Sequence, residues 1–225
     1  MTAAAAPEGL IFDMDSLLAR TMPVWRGAET YLLELLGDRY SEEWVARYRG
    51  MNAADVAAVI HAALKPSMAL EECQRLLRDK LVEGYGRMGP DAVRPMPGAV
   101  ELVSRLAPTY RMAVASGSPE AGIRAALTRL GILRHFEVVL SSEAVGRGKP
   151  EPDVFFAAAR LLGVEPSRCL VFEDSLAGVR AARAAGMACF AVPSETRDQI
   201  ARLATRVFAS LADIGDPDVA TALGG

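Results

Sequence analysis

Apolar residues follow two different patterns in two parts of the chain. From about residue 22 to residue 88 they recur at helical spacing, with no strand-like run between them. Leu70, Cys73, Leu77 and Leu81 show the spacing of an amphipathic helix. The pattern predicts a compact helical segment with helices at 24–36, 42–48, 53–64 and 70–85.

The rest of the chain alternates short apolar runs with amphipathic segments. The first run, residues 9–13, lies between Gly9 and acidic residues, which is typical of a buried strand. Short strands that alternate with helices predict an α/β fold with a parallel, doubly wound (Rossmann-like) sheet. Further strands are predicted at 111–115, 137–140, 169–172, 188–192 and 206–209, and helices at 98–106, 119–130, 152–162, 176–185 and 196–203.

The helical segment interrupts the alternating pattern directly after its first strand. We therefore expect an α/β core domain formed by residues 1–20 and 90–225, and an inserted α-helical cap domain formed by residues 21–89. Residues 18–22 and the Gly- and Pro-rich stretch 89–97 are the expected hinges. Residues 213–225 are expected to form a loosely held tail.

Composition and charge narrow the class of protein. The 225 residues carry a formal net charge of −3, so nucleic acid is not an expected partner. No apolar stretch approaches the roughly 18 residues of a membrane span, and the N-terminus lacks the features of a secretory signal. The three cysteines are widely spaced, which argues against a disulfide framework or a CxxC metal site. We expect a cytoplasmic monomer or weak dimer that does not bind membranes.

Polar residues stand at the ends of several predicted strands. The carboxyl ends of parallel strands lie on one side of a sheet, where ligands bind, so these residues should converge there. The four polar segments are Asp13-Met14-Asp15, Ser116-Gly117-Ser118, Lys149-Pro150 and Glu173-Asp174.

The two acidic pairs among them predict a metal site. Asp13 and Asp15 would repel Glu173 and Asp174 unless a divalent cation lay between them. Oxygen ligation by carboxylates, waters and a substrate phosphate suits Mg²⁺, and the absence of a nearby histidine in sequence argues against zinc. For Asp13 and Asp15 taken alone, a turn followed by a helix cap is an equally good interpretation.

The other two segments predict an anion site. Ser116 and Gly117 precede Pro119, which suits the first turn of a helix, and a helix N-terminus that follows small residues binds anions. Lys149 is one of only three lysines against 22 arginines, which suggests a need for a compact point charge. An ordinary serine cap and a solvated loop lysine are the alternatives. Together the four segments predict phosphoryl transfer through a carboxylate nucleophile.

Four motifs in this order resemble those of the haloacid dehalogenase (HAD) superfamily. The most similar branch has a helical cap and contains β-phosphoglucomutases and sugar phosphatases such as 2-deoxyglucose-6-phosphatase. The motifs are Phe12-Asp13-Met14-Asp15, Ala115-Ser116-Gly117-Ser118, Gly148-Lys149-Pro150-Glu151-Pro152-Asp153 and Phe172-Glu173-Asp174-Ser175-x-x-Gly178.

The resemblance implies a role for each site residue. Asp13 would be the nucleophile, and Asp15 the general acid/base, with its backbone carbonyl on Mg²⁺. Ser116, Gly117 and Lys149 would hold the phosphoryl group. Asp15 also argues against the dehalogenase members, which lack a carboxylate there. The implied metal ligands are Asp13, Asp15, Glu173 and Asp174, with Glu173 supporting Asp174.

The chain departs from the family pattern at several positions. Ser16 stands where the family usually has glycine, and Arg20 replaces an acidic residue. Arg20 could bind a second anionic group of the substrate or cap the hinge. Trp25 stands where the mutases have histidine, and Ala53 where they have an arginine, so hydrolysis is favoured over transfer. The candidate specificity residues are Arg20, Trp25, Arg49 and Asn52, with packing in the cap core as the alternative for Trp25.

The sequence therefore predicts a Mg²⁺-dependent phosphatase that hydrolyses a small phosphorylated sugar or related metabolite through an aspartyl phosphate. One alternative is a phosphosugar mutase of the phosphoglucomutase type. A catalytically silent binding protein on the same fold is another, although every acidic group that the chemistry needs is present. A response-regulator-like signalling protein is a third, which the helical segment after the first strand argues against.

Overall fold

A six-stranded parallel sheet forms the centre of the computed structural model, which describes residues 6–87, 93–194 and 196–223. Within these ranges the strands are β1 (Gly9–Phe12), β2 (Ala19–Arg20), β3 (Arg94–Pro95), β4 (Arg111–Ser116), β5 (Val138–Ser141), β6 (Cys169–Glu173), β7 (Ala188–Ala191) and β8 (Arg206–Val207). The sheet order is β5-β4-β1-β6-β7-β8, so β1 lies between β4 and β6. The predicted α/β fold is confirmed.

Helices cover the sheet and form the segment between β2 and β3. None of the helices in the described part of the chain combines the length and the apolar character that crossing a bilayer requires. The cytoplasmic location and the oligomeric state stay predictions. The helices are α1 (Met22–Leu35), α2 (Glu42–Tyr48), α3 (Ala53–Leu64), α4 (Leu70–Arg87), α5 (Ala99–Leu106), α6 (Glu120–Arg129), α7 (Asp153–Leu162), α8 (Leu176–Ala184), α9 (Arg197–Ala201) and α10 (Asp216–Ala220).

Strand β1 is buried on both faces, as its continuous apolar run predicts. Successive side chains point to opposite faces, so Leu10 and Phe12 join one part of the core and Ile11 the other. The Phe12 ring stacks on Phe172 of β6, with 4.4 Å between ring centroids. This packing fixes the carboxyl end of β1, where the first acidic motif begins.

Helices α1–α4 form the predicted helical segment. Their bounds agree with the predicted helices to within two residues at each end. The two expected hinges meet in a short antiparallel ribbon, in which Ala19 pairs with Pro95 and Arg20 with Arg94. Residues 89–92 of the second hinge lie outside the described residues. The division into core and cap domains at residues 20 and 90 stays a prediction.

The prediction of a loosely held tail at 213–225 was wrong for the residues that the structure describes. Ile214, Val219 and Ala222 are buried against the core, and the Arg105 Nε atom contacts Asp216 Oδ1 at 2.7 Å. Only three apolar positions carry this packing, which is too few for a periodic signal in the sequence.

Candidate active site

Lys149 joins two of the acidic segments at the carboxyl end of the sheet. Its Nζ atom donates hydrogen bonds to Asp13 Oδ1 at 2.6 Å, to Glu173 Oε1 at 2.5 Å and to the Ala115 carbonyl at 3.2 Å. The side chain is only 2% exposed. Burial opposes its charge, but the carboxylates of Asp13 and Glu173 outweigh that effect and raise the lysine pKa. Lys149 is therefore a buried, charged contact of Asp13, and the interpretation as a solvated loop lysine was wrong.

Glu173 orients the loop that follows β6. Its Oε2 atom accepts hydrogen bonds from the backbone N–H groups of Asp174 and Ser175 at 2.9 and 3.0 Å, and from Ser175 Oγ at 3.0 Å. A Cβ atom on Gly178 would overlap the same carboxylate, which explains the glycine in this motif. Both oxygens of Glu173 thus hold Lys149 and the loop after β6, and the implied role of Glu173 at the metal site stays a prediction.

Asp13 and Asp174 are the carboxylates that fit a cation. Burial raises the pKa of Asp13 well above its usual value, and it raises the pKa of Asp174 to about 8, with neighbouring carboxylates adding to both shifts. A divalent cation would relieve this repulsion, and Mg²⁺ commonly binds one or two carboxylates while keeping several waters. Among the described residues no three His, Cys, Asp or Glu groups form a ready metal cluster. A cation bound here would therefore need backbone oxygen, water or phosphate as further ligands besides these two carboxylates.

The Asp15 carboxylate accepts hydrogen bonds from five side chains. Its Oδ1 atom accepts from Tyr85 Oη at 2.8 Å, and its Oδ2 atom from Ser116 Oγ at 2.8 Å. The other three donors are Thr21 Oγ1 at 2.5 Å, Trp25 Nε1 at 3.2 Å and Ser118 Oγ at 2.8 Å. Helices α1 and α4 thus reach a core carboxylate directly.

Ser16, which stands where the family usually has glycine, has a backbone conformation that favours glycine. Its φ angle is +62°, in the left-handed region that glycine adopts without steric cost. The turn is closed by a hydrogen bond from the Ser16 N–H to the Ala19 carbonyl at 2.9 Å. The structure thus accommodates serine at a position whose backbone favours glycine.

A small cavity of about 60 Å³ lies between the acidic residues and the helical segment. From the core side Asp13, Asp15 and Asp174 line it, and from the helical side Trp25 and Arg49. The cavity therefore brings two of the four candidate specificity residues to the acidic cluster.

The other candidates lie elsewhere. Asn52 is buried and caps α3, where its Oδ1 atom accepts the Asp55 N–H at 2.8 Å. Arg20 is exposed on β2 and lines a separate groove with Lys80 and Arg94, a position that favours the hinge interpretation. Ser116 is fully buried and bonded to Asp15, whereas its neighbour Gly117 lines the cavity.

The loop between α2 and α3 lies directly on the core loops. Gly50 has a φ angle of +82°, and a Cβ atom there would lie 2.6 Å from Ser175 Oγ. A Cβ atom on Gly117 would lie 2.7 Å from the Met51 carbonyl. These two glycines let the backbone that carries Arg49 approach the acidic cluster.

Sequence analysis missed several residues of the site. Thr21 and Tyr85 hold Asp15, and Glu29 and Tyr48 line the cavity. For Glu29 a signal was present. It lies four residues after Trp25 and three before Leu32, so it is an acidic side chain on the buried face of an amphipathic helix.

Comparison with known proteins identifies the family. A model of the haloacid dehalogenase-like hydrolases matches residues 7–186. Fructose-1-phosphate phosphatase YqaB of Escherichia coli (strain K12) is 35% identical over 179 residues, which are 80% of this chain and 93% of the relative. The crystal structure of CbbY from Rhodobacter sphaeroides in complex with phosphate has a TM-score of 0.80 at 26% identity and covers 93% of this chain and 96% of its own.

The fold is also similar to that of a solved structure with a lower sequence identity. The crystal structure of β-phosphoglucomutase from Clostridium difficile has a TM-score of 0.84 at 19% identity, covering 96% of this chain and 97% of its own. The chain belongs to the haloacid dehalogenase-like hydrolases, as an enzyme of the phosphoric monoester hydrolase type.

Proposed function

We propose that this enzyme is a Mg²⁺-dependent phosphatase that hydrolyses a small phosphorylated sugar or related metabolite through a phosphorylated Asp13. The observation that carries the proposal is the buried pair of Lys149 and Asp13 beside the cavity, with 2.6 Å between Nζ and Oδ1. The similarity to a fructose-1-phosphate phosphatase supports the substrate class.

Asp13 is the proposed nucleophile. A carboxylate oxygen of Asp13 forms a bond to phosphorus while the bond from phosphorus to the leaving oxygen breaks. Lys149 keeps its proton throughout, because the carboxylates of Asp13 and Glu173 raise its pKa. The lysine thus holds Asp13 in place and places a positive charge beside the phosphoryl oxygens that gain negative charge.

Asp15 is the proposed acid and base. It donates a proton to the leaving oxygen in the first step and takes one from water in the second. Water attacks phosphorus, and the bond to the Asp13 oxygen breaks, which releases phosphate and restores the carboxylate. Both Asp15 oxygens accept bonds in the structure, so proton transfer requires the side chain to exchange at least one of its five partners.

Asp13, Asp174 and the backbone carbonyl of Asp15 are the proposed Mg²⁺ ligands. When bound, the ion neutralises charge on the phosphoryl oxygens and on the clustered carboxylates. Glu173 contributes by position, since it holds the backbone of Asp174 and Ser175.

Phosphate release from a panel of sugar monophosphates tests the proposal. With Mg²⁺ we expect turnover that a chelator abolishes, and Asp13→Asn should lower kcat by roughly 10³-fold or more. Asp198→Asn, on the exposed surface of α9, is the matched control and should retain full activity. Turnover that persists in Asp13→Asn, or an inactive wild type with Mg²⁺, would overturn the proposal.

A further inference from the structure

Glu29 is a buried carboxyl group that the proposed chemistry does not use. It belongs to α1, is 3% exposed and lines the cavity from the helical side. Its Oε2 atom is buried and has no hydrogen-bond partner among the described residues. The Tyr48 hydroxyl lies beside the carboxyl group without meeting hydrogen-bond geometry. A buried acceptor left unpaired is costly, so its retention at a cavity wall indicates that a ligand supplies the donor.

The groups around Glu29 set the charge at this end of the cavity. Arg49 lies close enough to lower the glutamate pKa, and its Nη2 atom is 3.6 Å from Glu42 Oε2. Burial, with Glu42 adding to it, nevertheless raises the pKa of Glu29 to about 7. Two carboxyl groups therefore surround one guanidinium, and the cluster carries no net positive charge.

This balance of charge suits a substrate with a neutral hydroxyl group at this end of the cavity better than one with a second phosphate group. A second phosphate group carries close to two negative charges, and a cluster without net positive charge does not compensate them. A neutral hydroxyl group suits the cluster in both directions, because it donates to Glu29 and accepts from Arg49. An apolar alcohol would leave the Glu29 carboxyl unpaired.

We propose that Glu29, together with Arg49, binds hydroxyl groups of the leaving part of the substrate, so that the enzyme selects monophosphates of neutral polyols over bisphosphates. The inference rests on the proposed function and deepens it. It assigns the phosphoryl end of the substrate to the core side of the cavity, and the sugar end to the helical side.

The test measures kcat and KM with matched substrates. The pairs are fructose 1-phosphate with fructose 1,6-bisphosphate, glucose 1-phosphate with glucose 1,6-bisphosphate, and ribulose 5-phosphate with ribulose 1,5-bisphosphate. A further probe besides the monophosphates and bisphosphates is 4-nitrophenyl phosphate, which has no hydroxyl group in its leaving part. We expect wild type to have a higher kcat/KM for the best monophosphate than for its bisphosphate.

Substitution of Glu29 should change these values selectively. Glu29→Ala should lower kcat/KM for the best monophosphate by about 10- to 100-fold, mainly through KM, and leave 4-nitrophenyl phosphate nearly unchanged. Glu29→Gln keeps an acceptor without the charge, so it should retain most monophosphate activity and narrow the preference over the bisphosphate. Glu34→Ala, exposed on the same helix, is the control and should change neither ratio.

Three outcomes would overturn the inference: a bisphosphate preferred by wild type, an equal loss on 4-nitrophenyl phosphate in Glu29→Ala, or hydrolysis of 4-nitrophenyl phosphate without hydrolysis of any sugar monophosphate. Absence of phosphate release from every probe in the presence of Mg²⁺ would instead overturn the proposed function.

Discussion

The two ends of the cavity differ in how their charged groups are satisfied. At the core end Lys149 bonds to Asp13 and Glu173, and Asp15 accepts five side-chain donors. At the helical end Glu29 is as deeply buried as Lys149, but its Oε2 atom has no donor among the described residues. A network that the protein completes by itself fixes the geometry of a reaction. A buried group left for a ligand to complete selects which molecule reacts.

The largest effect is expected from Lys149→Met, which disrupts the completed network at the core end. The substitution leaves Asp13 and Glu173 as buried carboxylates without a cation, so we expect kcat to fall by about 10²- to 10³-fold. Loss of one partner of a buried ion pair should also lower the free energy of unfolding by about 3–5 kcal/mol. Steady-state kinetics and urea unfolding measure the two effects.

Lys80→Met is the matched control for that substitution. Lys80 forms a pair with Glu83 at 2.8 Å in which both side chains are about one-third exposed. Such pairs contribute little to stability, so both quantities should change only slightly. A few-fold loss or less in Lys149→Met would show that the core network does not depend on the lysine.

The second prediction concerns the pH dependence of stability at the helical end. The pKa of Glu29 is about 7 in the folded protein against an ordinary 4.5, so folding favours the protonated form. The stability that Glu29 contributes to the folded state is complete below pH 4.5, and it is lost as the pH rises through 7. Three neighbouring groups affect the pKa of Glu29, namely Arg49, Glu42 and Tyr48. Glu29 in turn raises the pKa of Tyr40 and of Tyr48.

The measurement compares wild type with Glu29→Gln, which does not titrate. The free energy of unfolding of wild type should fall relative to the variant by up to about 3 kcal/mol across this window. Urea titrations at several pH values give the difference directly, and groups common to both proteins cancel. Parallel curves for the two proteins would contradict the assignment of a raised pKa to Glu29.

The smallest effect is expected at the contact between the two ends. Gly50→Ala introduces strain at a positive φ angle and a contact of 2.6 Å with Ser175 Oγ. Gly37→Ala introduces similar strain at φ +85° with open space around the new atom. The positive φ angle should cost each variant about 1–2 kcal/mol of stability, and the overlap with Ser175 adds to this cost in Gly50→Ala. Only Gly50→Ala should also lower kcat/KM, by about 10-fold, because the backbone beside Arg49 is displaced. Equal kinetics in both variants would show that this loop does not position the site.

The core end could be predicted from sequence more fully than the helical end. Asp13, Ser116 and Glu173 each follow or end an apolar run, and parallel strands bring such positions together. Lys149 instead lies in the loop between β5 and α7. Side-chain orientation could not be predicted. The direction in which the Glu173 carboxylate points depends on Gly178 and on backbone N–H groups, which the sequence pattern does not specify.

The helical end depends on contacts between segments far apart in sequence. Tyr85 reaches Asp15 from a position 70 residues away, and no local pattern encodes that distance. Arg20 was a candidate because it lies close to the acidic motif in sequence, but β2 directs the chain toward a different groove. The places of these side chains depend on how α1–α4 pack on the core, and the periodicity of the sequence does not specify that packing.

Direct detection of a phosphorylated Asp13 is the measurement that tests the central claim. Asp15→Asn should react with 4-nitrophenyl phosphate, whose leaving group needs no proton, and should hydrolyse the intermediate slowly because the base is missing. After an acid quench, mass spectrometry should find one phosphoryl group per chain, located on Asp13, and the same result in a variant that also carries Glu29→Ala. A phosphoryl group on another residue, or an unmodified chain during turnover, would contradict the account.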